Sequence, residues 1–342
     1  MTLFSRLILP AARIAMLVAV SATSSFAQPN FFEGKQVRII VGSGVGTSYD
    51  SYARLAARHL PRHVPGNPTI TVSNMVGASG MIASNHIHNI ASKDGTVILA
   101  AHSSMALAQL TGVPNIEYDA RKFAWIGRIA SGGHDLHYTW RTTNVSRFED
   151  LLVREVIVGG TGPTSNSVIL PNAINKVLGG KLKVLRGYKG STDTAVAMER
   201  GEIEMALLSW ELLRNQHSDW IRANKINLLV QYNPERHPEI PNVPTILDVS
   251  KTEDQKQIWR LLLKPVVTGY ALGTAPGVPN DRLDILRKAF HAMIDDPQFR
   301  RDAAKINLAI EPDSAASLQA GIVDMFQADP NTVATVKSLT LQ

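Results

Sequence analysis

The 342-residue chain is 44% hydrophobic and 19% charged, with a formal net charge of +6. That is a globular composition, long enough for one large or two medium domains. It has no cysteine, which excludes a disulfide framework, thiol catalysis and cysteine-ligated metal. No dense Lys/Arg run with interleaved aromatics accompanies the mild positive charge, so nucleic acid is not an expected partner, whereas anionic small ligands are compatible.

Residues 1–27 read as a signal peptide. Arg6 and Arg13 form a positive n-region, residues 14–20 an apolar run, and Ser25-Phe26-Ala27 a small-x-small cleavage site before Gln28. The run is too short to span a membrane, and no later segment reaches about 18 unbroken apolar residues. Export to the periplasm is expected, and loss of the two arginines takes the formal charge from +6 to +4.

Strand and helix signals then alternate. A β-rich run at 37–41 empties into the turn "GSGVGTSYD" and a helix carrying Ala53, Leu55, Ala56 and Leu60. "TITVSN" (69–74) predicts a strand, and "MVGASGMIASNHIHNIA" a turn opening a helix. "TVILAA" (96–101) predicts a strand, "HSSMALAQL" a helix start, and residues 123–130 a further apolar run. A second series follows: strand "EVIVGG" (155–160), a helix over 164–180 broken at Pro171, strand "LKVLRGY", helix "STDTAVAMERGE" and strands "IEMALLSW" and "INLLVQY". After a proline-punctuated loop come helix "DQKQIWRLLLK", a strand "VVTGYALGTAP" (266–276) ending in a turn, an amphipathic helix over 279–308 and one over 314–328. Strand–turn–helix repetition argues for α/β architecture with parallel strands.

Two of the turns match. "VGSGVGTS" (41–48) and "VGGTGPTS" (158–165) share V-G-x-x-x-x-T-S at a separation of 117 residues. Each follows a strand signal and precedes a helix, which predicts two similar α/β lobes with helix N-termini facing one cleft.

Other uses of the first turn fail on residue type. A dinucleotide fingerprint needs a third glycine where Thr47 stands and an acid after the next strand, where Ser73-Asn74 stand. No G-x-x-x-x-G-K-[ST] or G-x-S-x-G occurs. His134, Asp135 and His137, His86 with His88, and His59 with His63 are the candidate metal ligands. Without H-E-x-x-H, and with Pro61 inside the last pair, they read as surface or loop histidines, so no metal site and no cofactor are expected. What remains are turns rich in N–H donors and hydroxyls at helix starts, which favour carboxylates, phosphates and sulfates.

These turns resemble a known family, the periplasmic solute receptors of tripartite tricarboxylate transporters, or Bug-type binding proteins. The resemblance rests on Gly46 to Arg54, Asn74 to Gly80, Ala91 to Ile98, Tyr188-Lys189-Gly190 to Ala195, Gly201 to Glu204, Pro241 to Thr245, Thr274 to Pro279 and "AMIDDPQFR", in order along nearly the whole mature chain. It implies a two-lobed Venus-flytrap fold with two crossing segments: lobe 1 at 28–127 plus 268–342, lobe 2 at 128–267. It further implies a monomeric solute-binding protein, not an enzyme, that captures a small carboxylate and hands it to membrane permease subunits.

The site implied in lobe 1 comprises Ser43, Gly46, Thr47, Ser48 and Tyr49, then Gly77, Ala78 and Ser79, then His102 and Ser103, with Asp50 bracing the turn. Lobe 2 closes with Thr161, Thr164, Ser165, Tyr188, Ser209 and Trp210. Departures from the family pattern are Val76, Ser79, Ser48, Tyr49 and Leu208, the last where an acid is common. Tyr49 and Trp210 suit a ring or apolar ligand body, or else lobe packing. A secreted enzyme using His102 or His137 with a nearby serine, and a receptor feeding a sensor instead of a permease, are the alternatives.

Overall fold

The computed structural model describes residues 31–161, 165–188 and 190–340. The expected leader and Thr164 lie outside the described residues. Among the described residues, eleven strands form two sheets. In chain order they are β1 Gln36–Val41, β2 Thr69–Asn74, β3 Val97–Ala101, β4 Ala124–Arg128, β5 Asp135–Trp140, β6 Val156–Gly160, β7 Leu182–Arg186, β8 Met205–Ser209, β9 Ile226–Gln231, β10 Ala271–Thr274 and β11 Asp313–Ser314.

The first sheet runs β11-β4-β10-β3-β1-β2, with β1 parallel to both β2 and β3, and β10 antiparallel to β3 and β4. The second runs β7-β6-β8-β5-β9, with β6 parallel to β7 and β8, and β5 antiparallel to β8 and β9. Parallel strands leave their sheet at the same edge. The turns after β1, β2 and β3 therefore gather at one edge of the first sheet, and those after β6, β7 and β8 at one edge of the second.

The chain passes between sheets twice, at 129–134 and at 232–270. The two crossings are bonded to each other. Gly132 N–H donates to Val266 O at 2.7 Å, Tyr270 N–H to Ala130 O at 2.9 Å, and Ile129 N–H to Tyr270 O at 3.0 Å. Gly269 makes this approach possible: its φ is +51°, and a Cβ there would lie 2.2 Å from Ala130 O. The helix Glu253–Thr268 is the longest piece of the second crossing, and its Trp259, Leu261 and Leu263 are buried. They belong to one apolar cluster with Leu99 and Ala271 of the first sheet, Val158 and Met205 of the second, and Val336 and Leu339 of the last helix. The lobes thus share a core on the side of the crossings, while their turn edges stay apart.

Several elements differ from the sequence reading. Pro171 does not break its helix: Asn166–Ala173 runs through it into a π-helical turn at Ile174–Leu178, ended by Gly179 at φ +76°. Val168, Leu170, Pro171, Ala173 and Ile174 are buried there. Burial at about 1.5–3 kcal/mol per large apolar side chain exceeds the ~3 kcal/mol a helical proline costs. The run 266–276 is a strand only from Ala271, because the preceding residues complete the Glu253–Thr268 helix. The single helix expected over 279–308 is two, Asn280–Asp295 and Pro297–Lys305, joined at Asp296, whose carboxylate caps the second by accepting from Gln298 N–H.

Strand β5 was not expected. Its sequence DLHYTW alternates polar and apolar residues as a half-exposed strand would, yet both its faces are covered: His137 and Thr139 are as buried as Leu136 and Tyr138. His59 and His137 are buried, not surface or loop residues. His137 Nδ1 meets the Tyr232 hydroxyl at 2.6 Å, and His59 packs edge-on against Phe299 with Asp302 at 3.2 Å.

Candidate ligand-binding cleft

The first turn is braced from inside. Asp50 is 2% exposed. Its carboxylate accepts from Arg54 Nε at 2.8 Å, Gly46 N–H at 3.0 Å and Asn74 Nδ2 at 2.9 Å, and Asn74 Nδ2 also donates to Ser43 O. The Arg54 guanidinium, with the Gly46 and Asn74 donors, holds the Asp50 carboxyl down at about 2. Thr47, not Asp50, is the N-cap of the helix Ser48–His59. Ser43 Oγ and Thr47 Oγ1 bond each other at 2.8 Å within the turn.

The second turn lies directly against the first. A Cβ on Gly42 would come within 2.5 Å of Gly80 Cα, and one on Gly80 within 2.9 Å of His102 Cβ. Ala78, Ser79 and Gly80 have φ of +45°, +51° and +83°, a left-handed run that costs of order 1 kcal/mol or more per non-glycine residue. Ala78 and Ser79 remain exposed.

Tyr49 links the first turn to the third. Its hydroxyl donates to Ser103 Oγ at 2.8 Å and accepts from Ser103 N–H at 3.0 Å, and its ring stacks on His102 at 4.7 Å. Burial pushes the Tyr49 phenol up. Burial also lowers His102 to about 4, and its Nδ1 pairs with Ser104 Oγ at 2.8 Å. Among the described residues no carboxylate bonds to it.

A cavity of about 450 Å³ lies between the lobes. Ser48, Tyr52, Tyr270, Asn307, Leu308, Ala309 and Glu311 line it on the side of the first sheet. Thr161, Ser167, Ser191, Thr194, Leu207, Leu208, Ser209, Glu211 and Leu212 line it from the second, and Ser131 to Asp135 from the crossing. Tyr52 and Tyr270 stack at 4.2 Å, facing the leucines across the gap as an apolar wall. The polar wall holds Asp135, Glu211, Glu311 and His134. Burial raises Asp135 to about 6, against a hydrogen bond from Asn166 Nδ2 at 3.0 Å. Burial also opposes charge on His134 and Glu211, yet their 3.0 Å contact outweighs it, raising His134 and lowering Glu211 to about 2.

Of the expected ligand-binding residues, Ser48, Thr161 and Ser209 line this cavity, as do Leu208, His134 and Asp135, which the sequence marked for other reasons. Ser165 sits behind Thr161, both bonded to Ser167 Oγ. Ser43, Gly46, Thr47, Gly77, Ala78, Ser79, His102 and Ser103 belong to the touching turns of lobe 1, outside the cavity lining. Tyr188 packs against the core of lobe 2. Trp210 is 6% exposed in that core, with its indole N–H given to Glu239 at 2.6 Å. The pair His134-x-x-His137 separates: His134, at the end of the crossing, reaches the cleft, and His137, inside β5, is buried in the interior. The sequence reading missed Tyr52, Glu211, Tyr270 and the loop at 307–311. Only "SGGHD" (131–135) carried a local signal, a glycine pair outside any strand–helix turn.

Two α/β sheets joined by two crossings, with a cleft between them, are the periplasmic-binding-protein fold. No family model matches the chain. A stretch of 107 residues is 28% identical to a UPF0065 protein of Bordetella bronchiseptica, spanning 31% of this chain and 30% of that one. A TctC solute-binding protein from Polaromonas superposes with TM-score 0.67 at 17% identity, over 90% of this chain and 98% of that. An R. palustris protein solved with adipate gives 0.63 at 19% identity, over 89% and 98%. The chain has the fold of the TctC-type solute-binding proteins, the family its turn motifs resemble.

Proposed function

We propose that the mature chain is a periplasmic solute-binding protein that captures a small carboxylate between its lobes and delivers it to a tripartite tricarboxylate-type membrane transporter. The observation that carries this reading is the cavity of about 450 Å³ lined from both sheets. A solute there touches both lobes, so its binding energy favours the closed arrangement over the open one. Ser48, which opens the helix Ser48–His59, lines the cavity, and a carboxylate is favoured at a helix N-terminus. Tyr52, Tyr270, Leu207 and Leu208 accommodate an apolar body between polar ends. The adipate-bound neighbour supports the carboxylate class. Export through the leader and hand-over to a permease follow from the same reading. Among the described residues no helix is long and apolar enough to cross a membrane.

Thermal unfolding with a panel of C4–C6 dicarboxylates and aromatic monocarboxylates tests the reading. A cognate ligand raises stability by RT ln(1 + [L]/Kd), about 2.7 kcal/mol at one hundred times Kd, and is recovered unchanged. Stabilisation by no carboxylate, or conversion of the ligand to product, would refute it.

A further inference from the structure

The polar wall of the cleft poses a problem for an anionic cargo. Asp135, Glu211 and Glu311 all line it, and among its described residues His134 is the one basic side chain. Such a wall favours a cation.

Three side chains there converge in a way acids alone do not. His134 ends the first crossing, and Glu211 lies in the first turn of the helix Trp210–Gln216. Close packing of Gly133 on Ser209 sets them together: a Cβ on Gly133 would lie 3.1 Å from Ser209 Cβ. Trp210 N–H donates to His134 O at 2.9 Å, and His134 N–H to Glu211 Oε2 at 3.3 Å. His237 arrives from the proline-punctuated loop after β9, where its N–H donates to Gln231 Oε1 at 2.8 Å. Its ring meets that of His134 edge-on at 4.6 Å and 84°. One ligand atom from each of His134, Glu211 and His237 lies within 4.8 Å of the other two, and all three residues are half-buried.

We propose that His134, Glu211 and His237 form a binding site for a divalent transition metal of the Zn²⁺ class. Two imidazoles and one carboxylate select zinc, nickel or cobalt over magnesium and calcium, which prefer oxygen ligands. With zinc–ligand distances of about 2.0–2.2 Å, tetrahedral ligand atoms sit about 3.3–3.6 Å apart. The His134 Nδ1 to Glu211 Oε1 edge is already 3.0 Å. Closing the other two edges takes rotation of His237, a side chain of a surface loop. Binding displaces the proton shared by His134 and Glu211. It also competes with the 3.1 Å bond that His237 Nδ1 accepts from Glu239 N–H, unless the ring presents Nε2 after rotation. Since His134 and Glu211 line the cleft, the remaining coordination position opens onto it. The other side chains facing the cluster are Asp135, Glu311, Glu239 and Arg214, three acids against one base. The site does not rest on the carboxylate reading, because the metal itself is the probe.

The alternative is a plain ion pair bracing the crossing, and titration separates the two. Untagged mature protein, stripped with chelator, is titrated calorimetrically at pH 7.5 with Zn²⁺, and with Mg²⁺ as control. Co²⁺ absorption in the visible reports coordination geometry. The expected result is one saturable equivalent of Zn²⁺, a tetrahedral-type Co²⁺ spectrum, no Mg²⁺ binding, and at least tenfold weaker Zn²⁺ binding in both His237→Ala and Glu211→Gln. His237→Ala removes a ring outside the core, and its melting curve without metal should match wild type. Absence of one-equivalent Zn²⁺ binding to wild type, or wild-type affinity in His237→Ala, would overturn the site. Carboxylate binding by the chelator-treated protein tests the cargo reading separately.

Discussion

Replacing Asp50 by Asn removes one charge from the most heavily braced point of the first turn. The carboxylate joins Gly46 of that turn, Arg54 one helical turn on, and Asn74 at the end of β2. An amide in its place loses one acceptor and turns an N–H₂ toward groups that are themselves donors. The size of the effect follows from the ionisation. A carboxyl held at about 2 instead of 3.8, at about 1.4 kcal/mol per pH unit, favours the folded ionised state by about 2 kcal/mol at neutral pH. Arg54 is half exposed, so part of this is screened by salt. The sign is that of a depressed acid. The contribution is complete above the unfolded value of 3.8 and disappears as pH falls through about 2.

Urea unfolding of wild type and Asp50→Asn is the assay. The variant should be less stable by about 2 kcal/mol at pH 7, and the gap should narrow between pH 4 and pH 2. Where folded, it should keep the wild-type preference for carboxylates. A gap that does not change over that range would show that the charge is not its source. A stable variant with clearly tighter carboxylate binding than wild type, as removal of a facing negative charge would give, would place Asp50 on the ligand instead of in the turn.

The crossing glycine and the buried tryptophan give two more predictions. Gly269→Ala should lower stability by about 2–4 kcal/mol in urea unfolding, because its Cβ would meet Ala130 O at 2.2 Å in a conformation with φ +51°. Gly321→Ala is the control, since it sits in the helix Ala315–Met325 with nothing within 4 Å of a Cβ; a melting point for Gly269→Ala equal to that of wild type would contradict the close packing of the crossings. Trp210→Phe should cost about 1 kcal/mol through the lost Glu239 bond and leave carboxylate affinity within twofold by calorimetry. A tenfold loss of affinity at unchanged stability would move Trp210 from the core to the cleft.

Local chemistry was readable along the chain wherever a strand ran into a glycine turn and a helix. β1, β2, β6 and β7 carry that pattern, and the matched turns at 41–48 and 158–165 announced two lobes; β3 runs into a serine turn and β8 directly into a helix, both without glycine. The central strands β3, β6 and β8 were legible because they are buried on nearly all positions and read as apolar runs, and the others because their turns need glycine and hydroxyl residues. β5 was not, since it follows the first crossing with no such turn, pairs only with later strands, and has its buried His137 satisfied by Tyr232, 95 residues on.

The cleft divides in the same way. Ser48, Thr161 and Ser209 stand in or beside strand–helix turns, whose location a sequence pattern specifies. Tyr270, Glu311, His134 and Glu211 enter because two crossings fold back on one another. Tyr49 and Trp210 show the limit most directly. Residue type marked both as suited to a ligand or to packing. The Ser103 and Glu239 partners that take up their polar atoms lie 54 and 29 residues away, contacts that only the tertiary fold decides.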